Sequence, residues 1–180
     1  MIVNIVGPPA VGKSSYISQF VLERPYWTYV DIDWCRSGTN RIDRSFVENE
    51  KAAWKFFEDE VLDGKDVIME STGLHWVLPS VLLKAVEKKD HYIMNVYFHD
   101  NRRQMLKERI KTRRMMNPLP LPFRLKDELD MVDKVIDELW DWKDNLPGTW
   151  DIIHMEMDEV EVLQNLTESI LERRLTFQKE

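Results

Sequence analysis

A single cysteine, Cys35, stands among the 180 residues. No internal disulfide can form, and such a chain fits the reducing cytoplasm, the location expected here. Long apolar runs are missing as well. The N-terminal "MIVNIVG" meets Gly7 and Pro8 after a few residues, too soon for a signal peptide, and no later stretch is long enough to span a bilayer. No membrane partner is expected. Four scattered histidines and one cysteine offer no zinc-ligand spacing. There are no repeats and no low-complexity segments. Positive charge is in short supply: the formal net charge is −7 and the isoelectric point about 5.2. The protein as a whole repels nucleic acid and anionic surfaces, so any polyanion it binds must meet a local basic patch.

What is present is enough for one core. Hydrophobic residues make up 43% of the chain, in short runs that alternate with amphipathic ones, the pattern of βαβ units around a parallel sheet. Strands are predicted at Met1–Val6, Trp27–Ile32, Asp66–Ser71, His91–Phe98 and Thr149–Met157. Helical spacing is predicted for Lys13 to about Leu22, Arg44–Leu62, an interrupted Leu74–Lys89, the basic Asn101–Met115, an acidic helix from Leu125 and a closing helix from Glu159. Pro118, Pro120 and Pro122 in "NPLPLPF" cannot continue a helix. The expected fold class is α/β: one domain over residues 1–180, with a five-stranded, mainly parallel sheet flanked by helices.

"GPPAVGKS", Gly7-Pro8-Pro9-Ala10-Val11-Gly12-Lys13-Ser14, fits G-x-x-x-x-G-K-[ST] between an apolar strand and a helix. Gly7 and Gly12 let the backbone approach an anion closely, and the amides of the loop and the first helical turn, Ser15 included, converge on phosphate at the positive helix end. Lys13 is expected to reach the β- and γ-phosphates, and the Ser14 hydroxyl to ligate Mg²⁺. The loop is therefore expected to hold a nucleoside triphosphate, ATP, in a P-loop NTPase domain. No N-K-x-D segment for reading guanine occurs, and "DVIMES" supplies one acid, Glu70, where motor ATPases carry Asp-Glu.

The second strand ends in "VDIDWCR", with acids at the crevice edge where open α/β sheets bind ligands. Asp33 is a candidate to accept a proton from an attacking hydroxyl, and Arg36 to pin an anionic acceptor. Asp31 competes for the base role. Arg109 and Arg113, four residues apart in the basic helix, share one face. They suit a helical lid, about residues 101–123, that neutralises charge on a transferred phosphoryl group. Trp34 and Trp76 sit at sheet ends facing the crevice and are candidates to stack on a base, whereas Trp27 and Trp54 read as core. His75 reads as a polar surface residue. The stripe Asp127, Asp130, Asp133, Asp137, Glu138, Asp141 reads as a solvated helix face.

Loop, D-x-x-R after the second strand and R-x-x-x-R in a late helix occur here in the order found in P-loop polynucleotide kinases, and the chain resembles that family and the small phosphotransferases labelled AAA-domain kinases. The resemblance implies ATP and Mg²⁺ as cofactors. It also implies Asp33 as general base, Arg36 as the acceptor-phosphate contact, and Arg109 and Arg113 as lid arginines beside Lys13. The third strand departs: "MESTG" stands where the phage polynucleotide kinase has an Asp-Thr-Asn-like sequence, so Glu70 is expected to touch Mg²⁺ or substrate. The expected acceptor is a hydroxyl of a nucleic acid or nucleotide, with hydroxymethylated bases in DNA, as used by phage kinases, among the possibilities. Small-molecule phosphotransfer and a non-kinase ATPase switch are the alternatives. Self-association into a homo-oligomer is left open.

Overall fold

The computed structural model describes residues 1–116 and 124–177. Expectations for the proline-rich segment at 117–123, the far end of the predicted lid, lie outside the described residues.

Five strands form one sheet: β1 (Ile2–Val6), β2 (Thr28–Asp31), β3 (Val67–Ser71), β4 (Ile93–His99) and β5 (Thr149–His154). All pair in parallel, in the order β2-β3-β1-β4-β5. Among the described residues seven α-helices connect or follow them: α1 (Lys13–Leu22), α2 (Ile32–Thr39), α3 (Phe46–Asp63), α4 (Leu78–Lys89), α5 (Arg103–Met116), α6 (Leu125–Trp142) and α7 (Glu159–Phe177). Parallel strands need crossovers, and the crossovers here cover both faces, so the three central strands β1, β3 and β4 are buried on both sides. Residues alternate accordingly. Val3, Ile5, Met94, Val96 and Phe98 face a core made with Ile17 and Phe20 of α1, Leu106 and Ile110 of α5, and Val162, Leu166 and Ile170 of α7. Ile2, Val30, Val67 and Met69 face the other side, against Ala53, Trp54, Phe57 and Val61 of α3 and Leu78, Leu82 and Ala85 of α4. A smaller cluster joins Val6 and Tyr97 to Val135 and Leu139 of α6.

The boundaries differ from expectation where side chains cap the backbone. β2 stops at Asp31, because its carboxylate accepts the Asp33 amide and starts α2, a helix absent from the periodicity reading. The next helix begins at Phe46 rather than Arg44, since Ser45 and Glu48 form a capping box. Pro79 enters at the first turn of α4, so the interrupted pattern resolves into a turn followed by one helix. β5 ends at His154, three residues early. Trp27 and Trp54 are buried, as read. Among the described residues no helix is long and apolar enough to cross a membrane.

The turn into β5 tolerates no side chain at Gly148. Its φ is +105°, and a Cβ there would lie 2.3 Å from the Ile93 carbonyl oxygen. Gly148→Ala is expected to destabilise the fold by about 2–4 kcal/mol through strain and displaced backbone, read as a fall in the urea midpoint.

Candidate active site

The site grows from the end of β1. Gly7 has φ +154°, and a Cβ on it would stand 2.8 Å from the Phe98 carbonyl oxygen of the neighbouring strand. Ala10 and Gly12 have φ values of 62° and 105°. A non-glycine residue in the left-handed region is strained, and such strain concentrates where a loop is shaped for a ligand. Gly12 is the N-cap of α1, with no side chain capping that helix end and no acid in its first turn. The positive helix end therefore has no anionic partner within its own first turn. Lys13, buried, folds back so that Nζ donates to the Gly7 and Pro8 carbonyls, 3.0 Å each. Burial lowers its pKa, against the opposing charges of Glu70, Asp33 and Asp31. Pro8, Pro9 and Val11 complete the loop, and Ser14 and Ser15 are exposed in the first turn of α1.

Three carboxylates converge around that ammonium. Ser14 Oγ donates to Glu70 Oε1 at 2.9 Å, and Glu70 Oε2 is buried with no hydrogen-bond partner. Asp31 pairs with Glu70 in the β2–β3 register, so both side chains leave the sheet on the α1 face. Burial and then the Glu70 charge push the Asp31 carboxyl up to about 6. The same two factors, in the same order, raise the Tyr29 phenol on that face.

Asp33 lies in the first turn of α2, its side chain 72% exposed, with Oδ1 accepting from Arg36 Nη1 at 2.7 Å. Arg36 also donates from Nε and Nη2 to the two Glu50 oxygens, at 2.8 and 3.1 Å. The guanidinium predicted to contact the acceptor is thus oriented by a residue of α3 that the sequence reading missed. A partner 14 positions away in another helix leaves no local spacing signal. Trp34, 54% exposed, packs tilted on Phe56 with centroids 5.3 Å apart. Cys35 is fully buried between these motif residues, and burial pushes its thiol up to about 12.

The acidic helix differs from expectation only in part: Asp127, Asp130, Glu138 and Asp141 are exposed, as read, whereas Asp133 and Asp137 pair α6 with α5. Arg103 binds Asp137 and Lys107 binds Asp133, each closest at 2.5 Å, while Arg113 and Arg114 both bind Glu128. Of the predicted lid pair, Arg109 approaches the phosphate loop, with Nη1 3.5 Å from the Ala10 carbonyl. Arg113 stays close enough to act electrostatically on Lys13, but its guanidinium is engaged by Glu128. His75 is likewise no simple surface residue: it is half-buried against Trp54.

A parallel sheet ordered β2-β3-β1-β4-β5, with a phosphate loop leading from β1 into α1, is the P-loop NTPase fold in the form found in kinases. A shikimate kinase from Bacteroides thetaiotaomicron superposes with TM-score 0.60 over 96% of this chain and 98% of its own, at 12% identity. Chaetomium thermophilum Kti12, solved with ADP-AlF3, gives 0.64 over 96% and 98%, at 14% identity. A chain of the Pnkp1/Rnl/Hen1 RNA repair complex gives 0.60 at 20% identity, covering 81% of this chain and 46% of its own length. No protein-family model and no curated protein sequence matches the chain. At these identities the likeness is one of fold.

The raised Asp31 pKa sets a pH dependence. Folded Asp31 titrates near 6 against an ordinary 3.8, so the folded state holds this proton more tightly than the unfolded one. Its contribution to stability therefore falls as pH rises from about 4 to about 6. Asp31→Asn, which keeps the cap on the Asp33 amide, is expected to raise the urea midpoint at pH 7.5 in metal-free buffer. Below pH 4 it is expected to change nothing.

Proposed function

We propose that the protein is an ATP- and Mg²⁺-dependent phosphotransferase that moves the γ-phosphoryl group to a hydroxyl of a nucleic acid or nucleotide. The observation that carries this reading is the charge interaction of Lys13, at the start of α1, with Glu70, Asp31 and Asp33 at and just beyond the carboxyl ends of β3 and β2 and with Arg113 of α5, beside an uncapped helix N-terminus. Hydrolysis alone requires no D-x-x-R pair on a second wall of the crevice. A kinase uses one to hold and deprotonate an acceptor.

The residues fit the ligands. Main-chain amides from Ala10 to Ser15 and the Lys13 ammonium suit the phosphates of ATP. Ser14, Glu70 and Asp31 would hold Mg²⁺. The unpartnered Glu70 Oε2 beside the Ser14 hydroxyl is the oxygen that a cation would satisfy. Among the described residues no group of three or more His, Cys, Asp or Glu could hold a metal ion. Mg²⁺ keeps several waters and shares phosphate oxygens with its one or two carboxylates. When bound, the ion would neutralise charge on the β- and γ-phosphates.

In the transfer itself, the acceptor oxygen forms a bond to the γ-phosphorus as the bond to the ADP oxygen breaks. The acceptor proton passes to the Asp33 carboxylate. Asp33 suits this role better than Asp31, whose oxygen is occupied by the Asp33 amide and whose carboxylate lies against Glu70. Arg36, fixed by Glu50, keeps Asp33 in place. Lys13, Arg109 and Arg113 offset the charge that develops on the phosphoryl oxygens.

Incubation with γ-labelled ATP and a panel of oligonucleotides, modified DNA, nucleotides, nucleosides and sugar acids tests the reading. Label is expected on an acceptor of the nucleic-acid or nucleotide class. Label found only in inorganic phosphate would leave an ATPase. Label on a sugar or sugar acid would favour a small acceptor, as in the shikimate kinase and gluconokinase among the similar structures. Asp33→Asn is expected to cut transfer ~10²-fold or more while leaving ATP affinity near that of the wild type. Lys13→Ala is expected to abolish turnover, measured on the same acceptor.

A further inference from the structure

The phosphate chemistry leaves one feature of the acceptor side unused. Trp54 of α3, buried, stacks on the imidazole of His75 with centroids 4.1 Å apart and planes 22° apart. Trp76 continues the column, 6.0 Å further on and tilted by 25°. Successive rings, tilted by 22° and 25°, thus lead from the buried Trp54 to an outermost indole that is 81% exposed. Packing accounts for Trp54 but not for leaving an indole in water. His75 is fixed in plane because Nδ1 accepts the Val77 amide at 3.3 Å. Burial, and then the Arg36 charge, lower its pKa, so the middle ring is neutral at pH 7.

The column belongs to the acceptor wall. Glu50, which holds Arg36 in the D-x-x-R motif, lies one turn before Trp54 on α3, and both Glu50 and Arg36 act electrostatically on His75. The wall must hold a phosphate-bearing acceptor on a chain whose net charge is −7. Coulombic attraction serves that poorly outside the immediate basic groups, whereas stacking is indifferent to net charge. An offset-parallel column ending in a free aromatic face is also the form that a planar ring extends.

We propose that Trp76 is the stacking shelf of the acceptor subsite, taking the nucleobase of the nucleotide whose hydroxyl is phosphorylated as the fourth ring of the Trp54–His75–Trp76 column. The assignment rests on the phosphotransfer reading above and adds its specificity: the acceptor is recognised by a base, through a π-face, with little preference among bases.

Two 3′-fluorescein trinucleotides, one complete and one with an abasic 5′-terminal sugar, separate these points. The full chain is titrated against each and followed by fluorescence anisotropy. Wild-type protein is expected to bind the complete trinucleotide about 5- to 150-fold more tightly, the range given by one stacked base. Trp76→Ala is expected to erase that difference, and Trp76→Phe to retain part of it. Trp76 is exposed, so its urea midpoint is expected to be unchanged. Equal binding of the two probes, no binding of either, or a preference that survives Trp76→Ala would overturn the shelf. Transfer of γ-label from ATP to the same probes is measured in parallel. Transfer without base preference removes the shelf and leaves the kinase. Base preference without transfer removes the kinase and leaves the shelf.

Discussion

A buried ammonium among carboxylates is the interaction on which this site depends. Lys13 cannot be charged in the interior unless polar groups surround it, and here it has two loop carbonyls at 3.0 Å and the negative field of Glu70, Asp33 and Asp31. Each of those acids has its own dependence on the same centre. Glu70 takes a hydrogen bond from Ser14, Asp31 is held beside Glu70 by strand register, and Asp33 is anchored through the cap that Asp31 makes. Loss of the positive charge would leave three acids crowded at two strand ends. The polarity of the crevice is thus a property of the ensemble, assembled from β1, β2, β3 and two helix starts.

The protein is acidic overall, yet its acids and bases are sorted. Part of the negative charge on α6, that of Glu128, Asp133 and Asp137, is paired with α5 through Arg103, Lys107, Arg113 and Arg114. Exposed pairs of this kind contribute ~0–1 kcal/mol each, so their value is less in stability than in register: they align two helices along their length. That register brings Arg109 over the phosphate loop and Arg113 within electrostatic reach of Lys13.

Much of this was legible from residue order. Strands apolar on both faces announce a parallel sheet, and G-x-x-x-x-G-K-S between strand and helix fixes the position of an anion site. The helix α2 was not legible. "IDWCRSGT" is short, contains Gly38 and follows directly on a strand, and only the Asp31 side chain, folding onto the Asp33 amide, makes it begin there. Glu50 and Glu128 were invisible because their importance lies in partners on other helices. Asp133 and Asp137 of the acidic stripe on α6 misled for the same reason: an aspartate looks alike in sequence whether it meets water or a basic helix. His75 was misjudged because stacking on Trp54 depends on where a loop turns, which periodicity does not record.

The lone sulfur atom has a consequence for handling the protein. Cys35 sits on α2 with no access to solvent, and its thiolate is disfavoured far beyond neutral pH. Alkylating reagents attack thiolates they can reach. While α2 stays folded, the chain is inert to them and cannot cross-link through sulfur. Maleimide consumption therefore clocks the unravelling of the very helix that carries Asp33 and Arg36, without any label having to be introduced.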